Sequence, residues 1–71
     1  MPGSIQFGKN LSRLRVQRGL TQFQLATEAE ISRNHVQRLE KGQCQPTLAV
    51  VLRLKKALGC SWDELLEGVE E

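Results

Sequence analysis

The chain has 71 residues, 39% of them hydrophobic, with two Phe, one Trp and no Tyr, so one small domain must build its core from Leu, Val, Ile and Ala with little buried surface to spare. The net charge of +2 conceals a division: residues 1–56 hold all ten Lys and Arg against Glu28, Glu30 and Glu40, a net +7, whereas residues 57–71 hold five acidic residues and no basic one. A polyanion is attracted to the first part and repelled by the second.

No apolar run approaches the roughly 20 residues that span a membrane. The start, MPGSIQFGKN, lacks the layout of a secretory signal. A cytoplasmic protein is expected. Cys44 and Cys60 have no close-spaced partner and are expected to be free thiols in a reducing compartment, in loops. With His35 as the only other soft ligand, no metal site and no cofactor are expected.

Residues 1–71 are expected to form a single domain with a core of about residues 7–67 and flexible termini at 1–4 and 68–71. Gly19, Gly42, Gly59 and Gly68 each follow a helix-like pattern, and Thr21, Ser32, Thr47 and Ser61 each precede one. This alternation of stops and N-caps predicts an all-α chain of five helices.

Helix 1 is predicted from about Ile5 or Phe7 to Arg18, with Phe7, Leu11, Leu14 and Arg18 on one stripe. Val16, off that stripe, is expected against helix 4 or 5. Helix 2 is predicted over about Gln22 to Glu28, with Thr21 and Gln24 as a capping box. Leu25, Ala26 and Ala29 form its inner face, and Phe23 is off it. Helix 3 is predicted from about Arg33 to Lys41 behind the cap Ser32, with Val36 and Leu39 inward. Helix 4 is predicted over Leu48 to Leu58, behind Pro46 and Thr47. Its stripe is Leu48, Val51, Leu52, Lys55 and Leu58, with Val50 and Leu54 as extra apolar positions and Arg53, Lys55 and Lys56 solvated. Helix 5 is predicted over about Trp62 to Glu67 with a capping box from Ser61 to Glu64. Leu65 and Leu66 are expected to close the core, with Trp62 as a wedge at its edge.

Catalytic chemistry finds little support. There is one His, no carboxylate pair in an apolar setting and no Gly-rich phosphate loop. The hydroxyl of Ser32 near His35 reads as a helix cap rather than a nucleophile. An enzyme is not expected. The outer arc of helix 3 is more informative. At about 100° per residue, Arg33, Asn34, Gln37, Arg38 and Lys41 fall within about 140°. An ordinary solvated face mixes both signs of charge, and this arc carries no acid. Arg, Asn and Gln are the side chains that pair bidentately with base edges. Double-stranded DNA is therefore favoured as the partner over mere solvation.

The order Leu11-x-x-Leu14-Arg15-x-x-Arg18-Gly19-Leu20-Thr21-Gln22-x-x-Leu25-Ala26, then Ile31-Ser32-x-x-x-Val36-x-x-Leu39-Glu40-x-Gly42, then Pro46-Thr47-Leu48, Leu54-x-x-Ala57-Leu58-Gly59 and Trp62 to Leu66, resembles the lambda-repressor-like (Cro/phage-repressor, XRE) helix-turn-helix family. The resemblance implies a compact five-helix DNA-binding domain whose helices 2 and 3 form the helix-turn-helix. It implies base reading by Arg33, Asn34, Gln37 and Arg38, and phosphate contacts from Gln22, Ser32, Lys41 and Gln43. Arg15 and Glu40 match a structural ion pair between helices 1 and 3. Many members carry Gly where this chain has Glu30, so a left-handed turn there would strain Glu30 by about 1 kcal/mol.

The resemblance also implies a prokaryotic or phage-encoded, nucleoid-associated transcriptional regulator, a repressor by expectation. It would be a homodimer on a palindromic operator, with no small-molecule effector. Val50, Leu54 or Leu66 are candidates for the dimer surface. A restriction–modification controller and an antitoxin fit the same pattern. A helical protein–protein adaptor that does not bind DNA is the alternative from another class.

Overall fold

In the computed structural model, which describes residues 2–70, five helices follow one another: α1 (Pro2–Gln17), α2 (Gln22–Ala29), α3 (Arg33–Glu40), α4 (Leu48–Leu58) and α5 (Trp62–Leu66). Among the described residues there is no strand, and no helix is long and apolar enough to cross a membrane. Met1 and Glu71, which the sequence reading placed in the termini, lie outside the described residues.

Local chemistry sets the helix starts. Thr21 accepts the Gln24 N–H at 3.0 Å and Gln24 accepts the Thr21 N–H at 2.8 Å, a complete capping box. Ser61 and Glu64 repeat it at 3.1 and 3.0 Å. The Ser61 N–H donated to Glu64 holds that carboxyl below the usual carboxylate range. Ser32 and Thr47 cap α3 and α4 from their hydroxyls. Each such cap contributes about 1 kcal/mol.

The core gathers Phe7, Leu11 and Leu14 of α1, Leu25, Ala26 and Ala29 of α2, Val36 and Leu39 of α3, Val50, Leu54 and Leu58 of α4, and Leu65 of α5. α3 packs on both α1 and α2, α4 packs on α2, and α5 packs on α1. Two residues absent from the predicted stripe of α1 set its position. Gly8 lets the α1 backbone lie directly against the end of α3. Asn10, fully buried, donates to the carbonyls of Leu65 at 2.9 Å and Glu67 at 2.8 Å, which satisfies the end of α5. Gln6 completes that amide by donating to Asn10 Oδ1 at 2.9 Å.

The fold corrects several expectations. α1 begins at Pro2 rather than at Ile5 or Phe7, and Ser4 is buried. Val16 is exposed rather than packed on α4 or α5. The inward stripe of α4 is Val50, Leu54 and Leu58, while Leu48 and Leu52 face out. Apolar residues surround most of α4, so its own periodicity could not select a face. The small Ala26 and Ala29 of α2 do so by letting α4 approach. For the same reason Val50 and Leu54 are unavailable to a second copy of the chain. Leu66 lies at the surface, and Leu65 alone closes the core. Trp62 is exposed, with the Lys55 ammonium 5.1 Å from its ring centroid. Cys60 lies in the loop between α4 and α5, as expected, but its side chain is buried in the core, and burial pushes its thiol pKa up. Cys44 is half-buried against the core, and both thiols are free.

Candidate nucleic-acid interface

α2 and α3 are joined by a turn in which Glu30 takes the left-handed conformation, φ 58° and ψ 40°. The Ile31 N–H donates to the Ala26 carbonyl at 3.0 Å, which closes the end of α2. Ile31 packs on the core, and Ser32 then accepts the His35 backbone N–H at 3.0 Å and starts α3. Each link leads from sequence to orientation: the turn aims α3, and Val36 and Leu39 fix its rotation by burying one edge.

That rotation leaves Arg33, Asn34 and Arg38 exposed and Gln37 half-buried on the opposite side. Ser32, Lys41 and Gln43 are exposed at the two ends of the helix, and Gln22 is half-buried at the first position of α2. The Gln43 backbone N–H is already donated to the Arg38 carbonyl at 3.0 Å, so only its side chain is free to meet a ligand. Gly42, at φ +72°, makes that helix stop possible, and a Cβ there would also meet the Ile5 backbone at 2.9 Å.

The electrostatics of α3 are one-sided. Its only acid, Glu40, turns inward with its side chain 7% exposed. Arg15 Nε donates to Glu40 Oε2 at 2.7 Å, and Nη2 donates to Oε1 at 3.3 Å. Arg15 Nη1 also holds the Leu20 carbonyl at 2.8 Å, just ahead of α2. A bidentate, largely desolvated pair of this kind is costly to break on one side only. Gln22 joins it, donating from Nε2 to Glu40 Oε1 at 3.0 Å. Among the described residues, Arg33, Arg38 and Lys41 have no carboxylate within ion-pair range, whereas Arg13 and Arg18 lie 3.8 and 3.9 Å from Glu67 and Glu64. Arg18, at the end of the α1 stripe, also donates to the Leu58 carbonyl at 2.9 Å and so closes the end of α4.

The other charged and apolar surfaces differ in kind. Arg53 and Lys56 border a shallow cleft together with Glu28 and Glu30, so both signs of charge meet there. Phe23 is 65% exposed beside Leu20, Gln24 and Thr27. Sequence reasoning missed Gly8, Asn10 and the Gln22–Glu40 bond. For Asn10 a signal existed, because a polar residue three positions after Phe7 falls on the apolar stripe.

The sequence matches the helix-turn-helix domain family over residues 6–67. An uncharacterised HTH-type transcriptional regulator, y4dJ, of Sinorhizobium fredii is 36% identical over 64 residues, spanning 90% of this chain and 83% of that protein. The HTH-type transcriptional activator BcrR of Enterococcus faecalis is 33% identical over 66 residues, which are 93% of this chain but 32% of BcrR. The crystal structure of the restriction-modification controller protein C.AhdI from Aeromonas hydrophila matches with a TM-score of 0.84 at 35% identity, covering 87% of this chain and 94% of that one. The chain belongs to the helix-turn-helix family, in the lambda-repressor-like (XRE) branch of DNA-binding transcriptional regulators.

Proposed function

We propose that this protein binds a two-fold symmetric operator as a homodimer and represses transcription from it, acting on nucleoid DNA in the cytoplasm. The N-terminal half of α3 enters the major groove. Arg33 and Asn34 read base edges, with Gln37 and Arg38 one turn further on. Gln22, Ser32, Lys41 and the Gln43 side chain hold the backbone through phosphates. The observation that carries this reading is the inward turn of Glu40, which leaves the outer face of α3 with cations and amides and no acid.

A single short helix makes few base contacts, so pairing two copies multiplies affinity and specificity. Leu48 and Leu52 of α4 and Trp62 and Leu66 of α5 are the exposed apolar side chains left for a two-fold contact. The two helices are neighbours: Lys55 covers Trp62, and Val51 and Leu66 line one cleft.

Control of a restriction–modification gene pair is a second reading, favoured by the match to a controller protein over 94% of that chain. It requires that the bound operator lie upstream of an endonuclease or methyltransferase gene.

The test is gel-shift and footprint titration against the protein's own upstream DNA and against random duplex, over a series of salt concentrations. Binding should be specific and should weaken steeply with salt. Arg33→Ala should relax preference at particular base pairs by about tenfold, and Gln22→Ala should weaken all duplexes alike. Binding to neither duplex at low salt would sink the operator reading and favour a protein–protein adaptor.

A further inference from the structure

We infer that Glu40 is a positioning residue for DNA binding: its carboxylate orients the Gln22 amide so that one N–H points outward to a backbone phosphate. The inference rests on the reading of Gln22 as a phosphate anchor. A carboxylate only accepts hydrogen bonds, so the amide must turn its amino end toward Glu40 Oε1, which it does at 3.0 Å. An amino group has two N–H bonds. One is taken by Glu40, and the second stays free for an acceptor outside the protein.

Without Glu40 the amide can rotate. Its carbonyl end then faces the approaching phosphate, and ordering the side chain again opposes binding. Arg15 makes the device possible. Its fork fixes the direction of the carboxylate through Nε at 2.7 Å and Nη2 at 3.3 Å, and it neutralises an anion that would otherwise repel the same phosphate. The Arg15 bond to the Leu20 carbonyl places the chain leading into α2 from the same guanidinium. One ion pair thus joins α1, α3 and the start of α2, and it ends on a side chain at the DNA face.

The test is a double-mutant cycle in duplex affinity at one salt concentration, using wild type, Glu40→Gln, Gln22→Ala and the double variant. The side-chain amide signal of Gln22 is followed by NMR in the DNA-free proteins. Glu40→Gln also removes a negative charge, which raises affinity for every duplex in both backgrounds equally, so the difference between backgrounds cancels it. Gln22→Ala should lower affinity by about tenfold, as expected for a hydrogen bond to a charged group. The change caused by Glu40→Gln should differ between the two backgrounds by about fivefold or more, consistent with coupled neighbours. Its Gln22 amide protons should exchange faster with solvent and move toward the shifts of an unstructured glutamine side chain.

Equal effects of Glu40→Gln in both backgrounds, with the Gln22 signals unchanged, overturn the proposal and leave the phosphate anchor standing. If Gln22→Ala weakens no duplex, the anchor reading fails and the proposal falls with it. The amide signals then still report whether Glu40 orients Gln22, so the two failures are distinct. Should Glu40→Gln not fold, Arg15→Lys replaces it in the same cycle. It keeps both charges and removes the fork, and the same coupling is required.

Discussion

A Cβ placed on Gly8 would lie 2.4 Å from the Leu39 carbonyl oxygen and 2.7 Å from that of Glu40. α1 and α3 therefore meet backbone to backbone at the C-terminal end of α3. No flexible side chain stands between them to yield, so a methyl group there must push α3 away. Gly8→Ala is expected to cost about 2–3 kcal/mol and to lower the melting temperature by about 10 °C or more. Thermal unfolding followed by circular dichroism checks this. A melting temperature equal to that of the wild type would show that the two helices are not locked at this point.

Glu30 sits in the turn at φ 58°, a conformation that costs a non-glycine residue about 1–2 kcal/mol. Glu30→Gly removes the strain but enlarges the freedom of the unfolded chain. The net expectation is a gain of about 0.5–1 kcal/mol, seen as a higher melting temperature. Glu30→Ala keeps the strain and should leave stability nearly unchanged, so the comparison separates backbone conformation from charge.

Leu52 is 49% exposed on α4. If α4 and α5 form the two-fold contact, Leu52→Glu places like charges opposite each other across it. Sedimentation should then show a monomer of unchanged helicity with much weaker operator binding. A variant that remains dimeric would remove this face from consideration.

Cys60 allows a pH prediction. Burial raises its thiol pKa in the folded state. The unfolded chain therefore ionises first, near the ordinary thiol value of about 8.5. The stability contributed by the neutral buried thiol is complete below that pH and declines as pH rises through the interval up to the folded value. Relative to Cys60→Ala, the wild type should lose melting temperature as pH rises above about 8.5. At pH 8 a thiol reagent should modify the half-buried Cys44 first and reach Cys60 only in denaturant.

The elements were legible wherever a cap and a stop bracketed an apolar stripe. Thr21 with Gln24 and Ser61 with Glu64 form the capping boxes that their spacing predicts. The Arg15–Glu40 pair, expected from family resemblance, stands at 2.7 Å. The rotation of α4 was not legible, because apolar residues surround it. Lys55 on the predicted stripe was the signal against that choice. Gly8 was not legible either, since its reason lies in the carbonyls of another helix. Within the candidate interface, the resemblance marked Gln22 and Glu40 separately. Their hydrogen bond depends on how α2 and α3 approach each other, which no spacing along the chain encodes.

The buried amide of Asn10 ties two distant parts of the chain into one event. Its carbonyl partners lie 55 and 57 residues away. Until α5 arrives, α1 would have to bury that amide without them, at the cost of an unsatisfied polar group. α1 is also the support on which α3 rests. Opening the far end of the molecule therefore loosens α3, and the domain folds and opens cooperatively rather than helix by helix. In native-state hydrogen exchange, the most protected amides of α1 and α5 should share one opening free energy.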